Sequence, residues 1–481
     1  MSWAITLSGL IIIGHTCGVI AAGHALLTKR DPRAAFLWTI FCLILPFGFL
    51  IYLVFGINKL TGVHRRWDSQ GLHHLKAIES EFEVTAETTF EHAVYHLKAF
   101  HDLKKTGERI CKGRIMSGCQ VSVLYDGTQA YPQMIAAIEQ AKNSIYLSTY
   151  IFGTTEIGKR FIEALIAAKD RGVEVKVLID GVGSLYSFPT AYRQLKRKGV
   201  NVALYLSPFR SWYNLVHMNL RNHRKLLVID GTFGFTGGMN IHQENMGKGS
   251  EPAPIRDLHF RVDGPIIGFL QNVFLKAWYF SVKKDPVKEV IYYDDQPKGN
   301  ALCRGIASGP HHQFPQIERM LIAAINSATD NIRIMTPYFI VSGPLATALT
   351  AASQRGVEVE IIMPGSNNLS FVKGACEAIL PGLLQYGLKF YYRRGNFAHT
   401  KIFLIDDFCS FIGSANIDVR SLYLNFEFNL EIYDYVLTNT LINHFETVKK
   451  DAVPVTKEYL QGHHFLIRFR NAVLALFAPY L

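Results

Sequence analysis

Seven cysteines are scattered through 481 residues, two of them inside apolar runs, and they show neither disulfide nor zinc spacing. Histidine is plentiful at 18 copies, yet its visible clusters are the adjacent pairs His311-His312 and His463-His464, whereas helical metal ligands stand three or four apart. No metal site and no cofactor are expected, and these pairs read as solvated loop residues. No basic run with interleaved aromatics marks a nucleic-acid groove, although 50 Lys and Arg against 39 Asp and Glu leave a net charge of +11. That bias suits an anionic membrane surface. Charge itself is missing from two N-terminal stretches, residues 4–27 and 34–55, each long enough to cross a bilayer core.

The two apolar runs in succession predict a transmembrane helical hairpin over residues 1–60 rather than a cleaved leader. Trp38 and Tyr52 stand toward opposite ends of the second run, as interface anchors would, and His15 in the first reads as a packing residue. Gly14, Gly18 and Ala22 form a small-xxx-small stripe that packs the hairpin on itself or on a second copy, as a homo-oligomer. Lys29, Arg30 and Arg33 in the loop nearly balance Lys59, Arg65, Arg66 and Lys76 beyond it, so the positive-inside count leans only slightly toward a cytoplasmic catalytic part. Residues 465–481 are apolar except for Arg468, Arg470 and Asn471. They are too short to span and suit either an amphipathic helix on a membrane surface or a helix docked on a core.

What is present comes twice. His223-Arg224-Lys225-Leu226-Leu227-Val228-Ile229-Asp230 and His399-Thr400-Lys401-Ile402-Phe403-Leu404-Ile405-Asp406 both read H-x-K-x4-D. Each is followed at the same distance by a turn and an asparagine, Gly237-Gly238-Met239-Asn240 and Gly413-Ser414-Ala415-Asn416. Upstream, Arg171-Gly172-Val173-Glu174-Val175 recurs as Arg355-Gly356-Val357-Glu358-Val359. An amphipathic helix precedes each (158–169 and 343–353) and a β-branched run follows (176–179 and 360–362). Another helix and strand lie before those, 134–141 with 144–152 and 315–327 with 331–335. Each half is a full α/β domain. The expected organisation is a hairpin over 1–60, a helical connector over 61–109, and two domains over 110–285 and 286–481. A charged linker lies at 283–299.

Two histidines and two lysines are what a metal-free phosphoryl exchange needs. One imidazole attacks phosphorus and the other protonates the departing oxygen, while the lysines neutralise charge on the equatorial oxygens. In an extended H-x-K segment His and Lys share a face, so meeting of the halves would bring His223, Lys225, His399 and Lys401 to one phosphate. Asp230 and Asp406 face the other side of an unbroken strand and are expected to support structure. Each histidine then needs another carboxylate to fix its tautomer. Asp257 and Glu427, in matching segments Arg256-Asp257-Leu258-His259-Phe260 and Asn425-Phe426-Glu427-Phe428-Asn429, are the candidates. Asn240, Ser414 and Asn416 are candidates for binding phosphate or substrate.

At these residues the chain resembles the phospholipase D superfamily, and within it the bacterial cardiolipin synthases. The narrower likeness rests on Asn222-His223-Arg224-Lys225 with Gly237-Gly238-Met239-Asn240-Ile241, on Gly413-Ser414-Ala415-Asn416-Ile417-Asp418-Val419-Arg420-Ser421, and on the segment from Lys29-Arg30-Asp31-Pro32-Arg33-Ala34 through Leu45-Pro46-Phe47-Gly48 to Tyr52. The resemblance implies two tandem phospholipase D-like α-β-α sandwich domains related by a pseudo-twofold. It also implies transfer of a phosphatidyl group between two phosphatidylglycerols through a phosphohistidine, giving cardiolipin and glycerol at a bacterial cytoplasmic membrane, with His223 as nucleophile and His399 as general acid. A hydrolase, a transferase using another alcohol and a membrane-bound nuclease share the catalytic set. One departure is visible: Pro337-Tyr338-Phe339-Ile340 continues with Val341-Ser342 where the family usually has Pro-Asp, which puts an acidic role there in doubt.

Overall fold

The computed structural model describes residues 2–29, 32–56, 97–111, 113–207, 220–246, 255–282, 293–309, 315–366 and 369–477. Most of the expected connector and linker, the His311-His312 pair and the basic residues after the second apolar run lie outside the described residues. The described end of the connector is a helix, Leu97–Cys111.

The first half contributes β1 (Met116–Tyr125), β2 (Ser144–Thr149), β3 (Glu174–Asp180), β4 (Asn201–Tyr205), β5 (Leu226–Ile229), β6 (Phe233–Gly237) and β7 (Leu258–Asp263). The second contributes β8 (Ala301–Ser308), β9 (Asn331–Met335), β10 (Phe339–Ile340), β11 (Glu358–Pro364), β12 (Lys389–Arg393), β13 (Ile402–Ile405), β14 (Cys409–Gly413), β15 (Ile417–Asp418), β16 (Glu427–Tyr433) and β17 (Val453–Val455). One 15-stranded sheet runs β17-β12-β11-β9-β13-β14-β16-β8-β1-β7-β6-β5-β2-β3-β4. Outward from its centre, β1-β7-β6-β5-β2-β3-β4 repeats β8-β16-β14-β13-β9-β11-β12. The sequence duplication is therefore a pseudo-twofold about the antiparallel β1–β8 junction, where Met116 lies opposite Cys303 and Cys119 opposite Ala301.

The expected helix–turn–strand units are present, Glu156–Asp170 before β3 and Gly343–Gln354 before β11. Gly172 and Gly356 in the turns adopt φ of +89° and +97°, where a side chain is strained. The helix expected from residue 134 starts at Asp126 and runs through Pro132. Burial of Ala130, Tyr131 and Met134 outweighs the one backbone hydrogen bond that proline cannot donate. Helix Ile266–Val282 is apolar all round because it is buried nearly all round. Phe269, Leu270, Phe274 and Trp278 from it join Phe426, Phe428 and Leu430 of the other half in one core. Each such side chain contributes about 1.5–3 kcal/mol on burial, so the two halves are held as a unit.

The N-terminal hairpin differs from its expected form. Leu7–Thr28 is long and apolar enough to cross a membrane. The second run is broken into Pro32–Ile44 and Gly48–Ile51, the latter continuing as a π-turn over Tyr52–Gly56. The break falls at Pro46, which lacks an N–H and disfavours helix in the residue before it. The chain then doubles back. Tyr52 is fully buried, with its hydroxyl 2.7 Å from His24 Nδ1 and its ring 5.3 Å from that of Trp38. Trp38 and Tyr52 are thus packing partners, not anchors at opposite interfaces. A Cβ on Gly14 or Gly18 would run into the carbonyls of Pro46 and Cys42, so the small-residue stripe is covered by its own chain rather than offered to a second copy. His15 is exposed on the outer face, not packed.

Helix Phe465–Leu476 docks by one face and leaves the other apolar and exposed. Asn471 is buried and donates to Glu377 Oε2 at 3.0 Å on helix Ser370–Leu384, while Phe465, Leu466 and Phe469 are 68%, 65% and 60% exposed on the other face.

Candidate active site

The H-x-K segments lie just ahead of the strands expected to carry them, since β5 begins at Leu226 and β13 at Ile402. They are held instead by the opposite half. His223 N donates to Phe426 O at 2.9 Å and Phe426 N to Arg221 O at 2.8 Å; His399 N donates to Arg256 O at 2.7 Å and Arg256 N to Phe397 O at 3.0 Å. These short parallel bridges, Asn222 with Phe426 and Arg256 with Ala398, carry the carboxylate segments across the pseudo-twofold. Glu427 of the second half lies 3.0 Å from His223 Nδ1, and Asp257 of the first half lies 3.0 Å from His399 Nδ1. The Glu427 contact assigns the proton of His223 to Nδ1 and leaves Nε2 for chemistry, and Asp257 favours the same tautomer at His399, where Lys401 Nζ also stands 2.9 Å from Nδ1. Lys225 Nζ donates to His223 O at 2.7 Å and Lys401 Nζ to His399 O at 2.5 Å, the same arrangement twice.

Burial sets the charge states. His223 is held below the ordinary histidine range by burial and by Lys225, against the pull of Glu427. His399 is pushed well below it by burial, then by Lys401, Lys225 and His223. The lysines are lowered as well, Lys225 to about 7 and Lys401 to about 8, in both cases by burial first. Asp257 is raised to about 6 by burial. Burial also opposes ionisation of Glu427, but His223, Lys225 and the Ser414 hydroxyl together hold it below the ordinary carboxylate range. Each box's charges shift the other's, so both stand around one space.

Asp230 and Asp406 are elsewhere. Each ends its strand in a left-handed conformation, φ +52° and +49°, rather than continuing an unbroken strand. Asp230 accepts from the backbone N–H groups of Lys142, Asn143 and Ser144, and Asp406 from those of Thr329, Asp330 and Asn331. They clamp the loops that enter β2 and β9. Of the candidate substrate-binding residues, two are engaged by the protein itself. Asn240 Oδ1 accepts from Ile151 N at 3.2 Å, and the Ser414 hydroxyl donates to Glu427 Oε2 at 2.6 Å. Asn416 is buried with its side-chain oxygen unpartnered. At Gly238, the counterpart of Ser414, a Cβ would sit 2.6 Å from Asp257 Oδ2. Ser342, where the family usually has aspartate, caps helix Gly343–Gln354 through Leu345 N and bonds to Glu318. A hydroxyl does the capping there.

Three contributors were not read from the sequence. Tyr150 follows β2 directly and Tyr338 lies one aligned position further on after β9, their rings 5.3 Å from His223 and 6.5 Å from His399. Asp180, buried at the end of β3, accepts from Val182, Gly183 and, at 2.8 Å, Asn222 N, pinning the residue before His223. Alignment of the two halves on Thr149 and Thr336 pairs Tyr150 with Pro337 and Tyr338 with Ile151, so the duplication does not mark the tyrosines. Nothing local marks Asp180, whose counterpart in the second half is Pro364. Among the described residues no group of three His, Cys, Asp or Glu is placed to hold a metal ion.

A family model described as cardiolipin synthase, PLD-like domain, matches residues 134–255 and 321–449, and one described as phospholipase D-nuclease N-terminal matches residues 18–56. Cardiolipin synthase A of Pseudomonas entomophila is 32% identical over 480 residues, covering 98% of each chain. Cardiolipin synthase of Oceanobacillus iheyensis is 31% identical over 464 residues, 96% of each. Among solved structures, phosphatidylserine synthase of Haemophilus influenzae Rd KW20 superposes with a TM-score of 0.62 over 79% of this chain and all of its own, at 15% identity, a likeness of fold alone. With its duplicated α/β halves and a matching model over both boxes, the chain belongs to the cardiolipin synthases of the phospholipase D superfamily.

Proposed function

We propose that the protein transfers a phosphatidyl group from one phosphatidylglycerol to another, releasing glycerol and forming cardiolipin. The observation that carries the mechanism is the crossed pair of dyads, each histidine fixed at Nδ1 by a carboxylate from the other half. His223 Nε2 attacks phosphorus, the bond to the glycerol oxygen breaks, and His399 gives that oxygen a proton. The terminal hydroxyl of a second phosphatidylglycerol then gives its proton to His399 and attacks phosphorus, and the P–N bond breaks. His399 must be protonated for the first step although Lys401 and Lys225 depress it. An anionic phosphodiester between those lysines offsets their field, so substrate binding itself favours the acid form. Asn240 supports the loop at Ile151, and Asp230 and Asp406 the strand ends.

Glu427 as the ionised partner favours His223 as nucleophile, because an attacking imidazole acquires positive charge that a carboxylate stabilises. The apolar helix Leu7–Thr28 and the exposed apolar face of Phe465–Leu476 support placement at a bacterial cytoplasmic membrane. The Tyr52–His24 contact returns the chain toward the Lys29 end of the first helix. Positive-inside bias then favours the catalytic halves on the cytoplasmic side. The test is lipid analysis after incubating the purified full chain with phosphatidylglycerol alone. Cardiolipin and glycerol should form, and added glycerol should drive cardiolipin back by mass action. Phosphatidic acid as the main product, with no effect of glycerol, would establish a hydrolase instead.

A further inference from the structure

The two lysines of the site share one arrangement and then part. Each ammonium donates to the carbonyl of its own box's histidine. Lys401 Nζ also stands 2.9 Å from His399 Nδ1, whereas Lys225 Nζ lies over the ring of Tyr150, 5.7 Å from its centroid. The same ring stands 5.3 Å from the His223 imidazole at an interplanar angle of 64°. One tyrosine therefore faces both functional members of the first box. The second half has Pro337 at the aligned position, so the duplication does not repeat this side chain.

The place of the ring is fixed by its surroundings. The Thr149 hydroxyl donates to Ile151 O at 2.9 Å and Ile151 N donates to Asn240 Oδ1 at 3.2 Å, which clamps the chain on both sides of Tyr150. A Cβ on Gly183 would run into the Tyr150 carbonyl, and the ring of Tyr186 lies 6.4 Å from that of Tyr150. An ammonium over an aromatic face is attracted by the ring's quadrupole, more strongly where water is excluded. Lys225 is buried, so the attraction is of the stronger kind. Glu427, Asp257 and Asp180 favour its charge and Lys401 opposes it. Those three carboxylates are also engaged with other groups: Glu427 with His223 and Ser414, Asp257 with His399, and Asp180 with three backbone N–H groups.

We infer that Tyr150 is a positioning residue on the His223 side, where the face of its ring holds the Lys225 ammonium in place for the reacting phosphate while the ring packs the imidazole. The role of that phosphate rests on the phosphatidyl-transfer reading above. The test follows glycerol released from headgroup-labelled phosphatidylglycerol by the purified full chain, a step that transfer and hydrolysis share. Tyr150→Leu should release glycerol about two- to thirtyfold more slowly than wild type, the range of a desolvated cation–π contact. Tyr150→Phe should recover most of that loss. Lost packing gives a similar number, so the deciding series is Tyr150→Phe carrying none, one, two or three ring fluorines, which nearly keep the shape and drain charge from the face. At each step kcat/KM should fall, and its alkaline decline should begin at lower pH, because a weaker face releases the Lys225 proton sooner. A flat series, or a fall that only tracks the melting temperature, overturns the inference. The series carries the test by itself if Tyr150→Leu does not fold. Phosphatidic acid as the wild-type product overturns the transfer reading instead, and the fluorine series still decides the role of Tyr150.

Discussion

His223 and His399 stand at equivalent points of a duplicated fold, yet their carboxylate partners differ in environment. Glu427 receives hydrogen bonds from the Ser414 hydroxyl at 2.6 Å and Asn425 Nδ2 at 3.1 Å as well as from His223, and it is held ionised. Asp257 faces Gly238, where no side chain fits, and is raised to about 6 by burial. Duplication preserved the frame and altered the donors around each carboxylate. A nucleophile that becomes cationic is served by a firmly charged partner, whereas a residue that both gives and takes a proton is served by one near its own titration range. The unequal roles proposed for the two histidines follow from that contrast.

The comparison breaks most visibly at the histidines. Removing either should cost about a thousandfold or more in turnover. His399→Ala, given a phosphatidyl donor with a good leaving group, should accumulate a covalent adduct on His223, read by mass spectrometry of the digested protein; an adduct on His399 in the His223→Ala variant would reverse the roles.

A smaller effect sharpens the contrast between the carboxylates. Glu427→Gln and Asp257→Asn should each lower turnover by about a hundredfold or more with folding intact by circular dichroism. Their pH dependence should differ. Asp257 works ionised, so kcat/KM should fall as pH drops through about 6, and Asp257→Asn should remove that limb. Lys225 works protonated, so kcat/KM should fall as pH rises through about 7. Persistence of the acid limb in Asp257→Asn would assign it to another group.

The smallest effect lies outside the chemistry. Asp230→Asn and Asp406→Asn each weaken a clamp of three backbone N–H groups. Each should lose about 1–3 kcal/mol of stability, seen as a lower melting temperature with kcat retained. A large loss of kcat without a change in melting would place these residues in the mechanism.

Local pattern made much of this legible. The helices at Glu156–Asp170 and Gly343–Gln354 and the strands after them follow from periodicity and an Arg-Gly turn, both properties of short windows. The second apolar run shows where such reasoning fails. Hydropathy counts residues and is blind to the break at Pro46, so a run long enough to span folds back until Tyr52 meets His24 and Trp38. The strand expected through each box failed similarly, because Asp230 and Asp406 turn left-handed to reach a distant loop.

The sequence by itself determined the inventory and its duplication: two histidines, two lysines and two carboxylates in two α/β frames, since these depend only on residue type and spacing. Tertiary structure decided which carboxylate meets which histidine. His223 reaches Glu427 across 204 residues and His399 reaches Asp257 across 142, each in the opposite half. It also decided the charge states, because desolvation and neighbouring charge act through space and depend on how the halves close around the site.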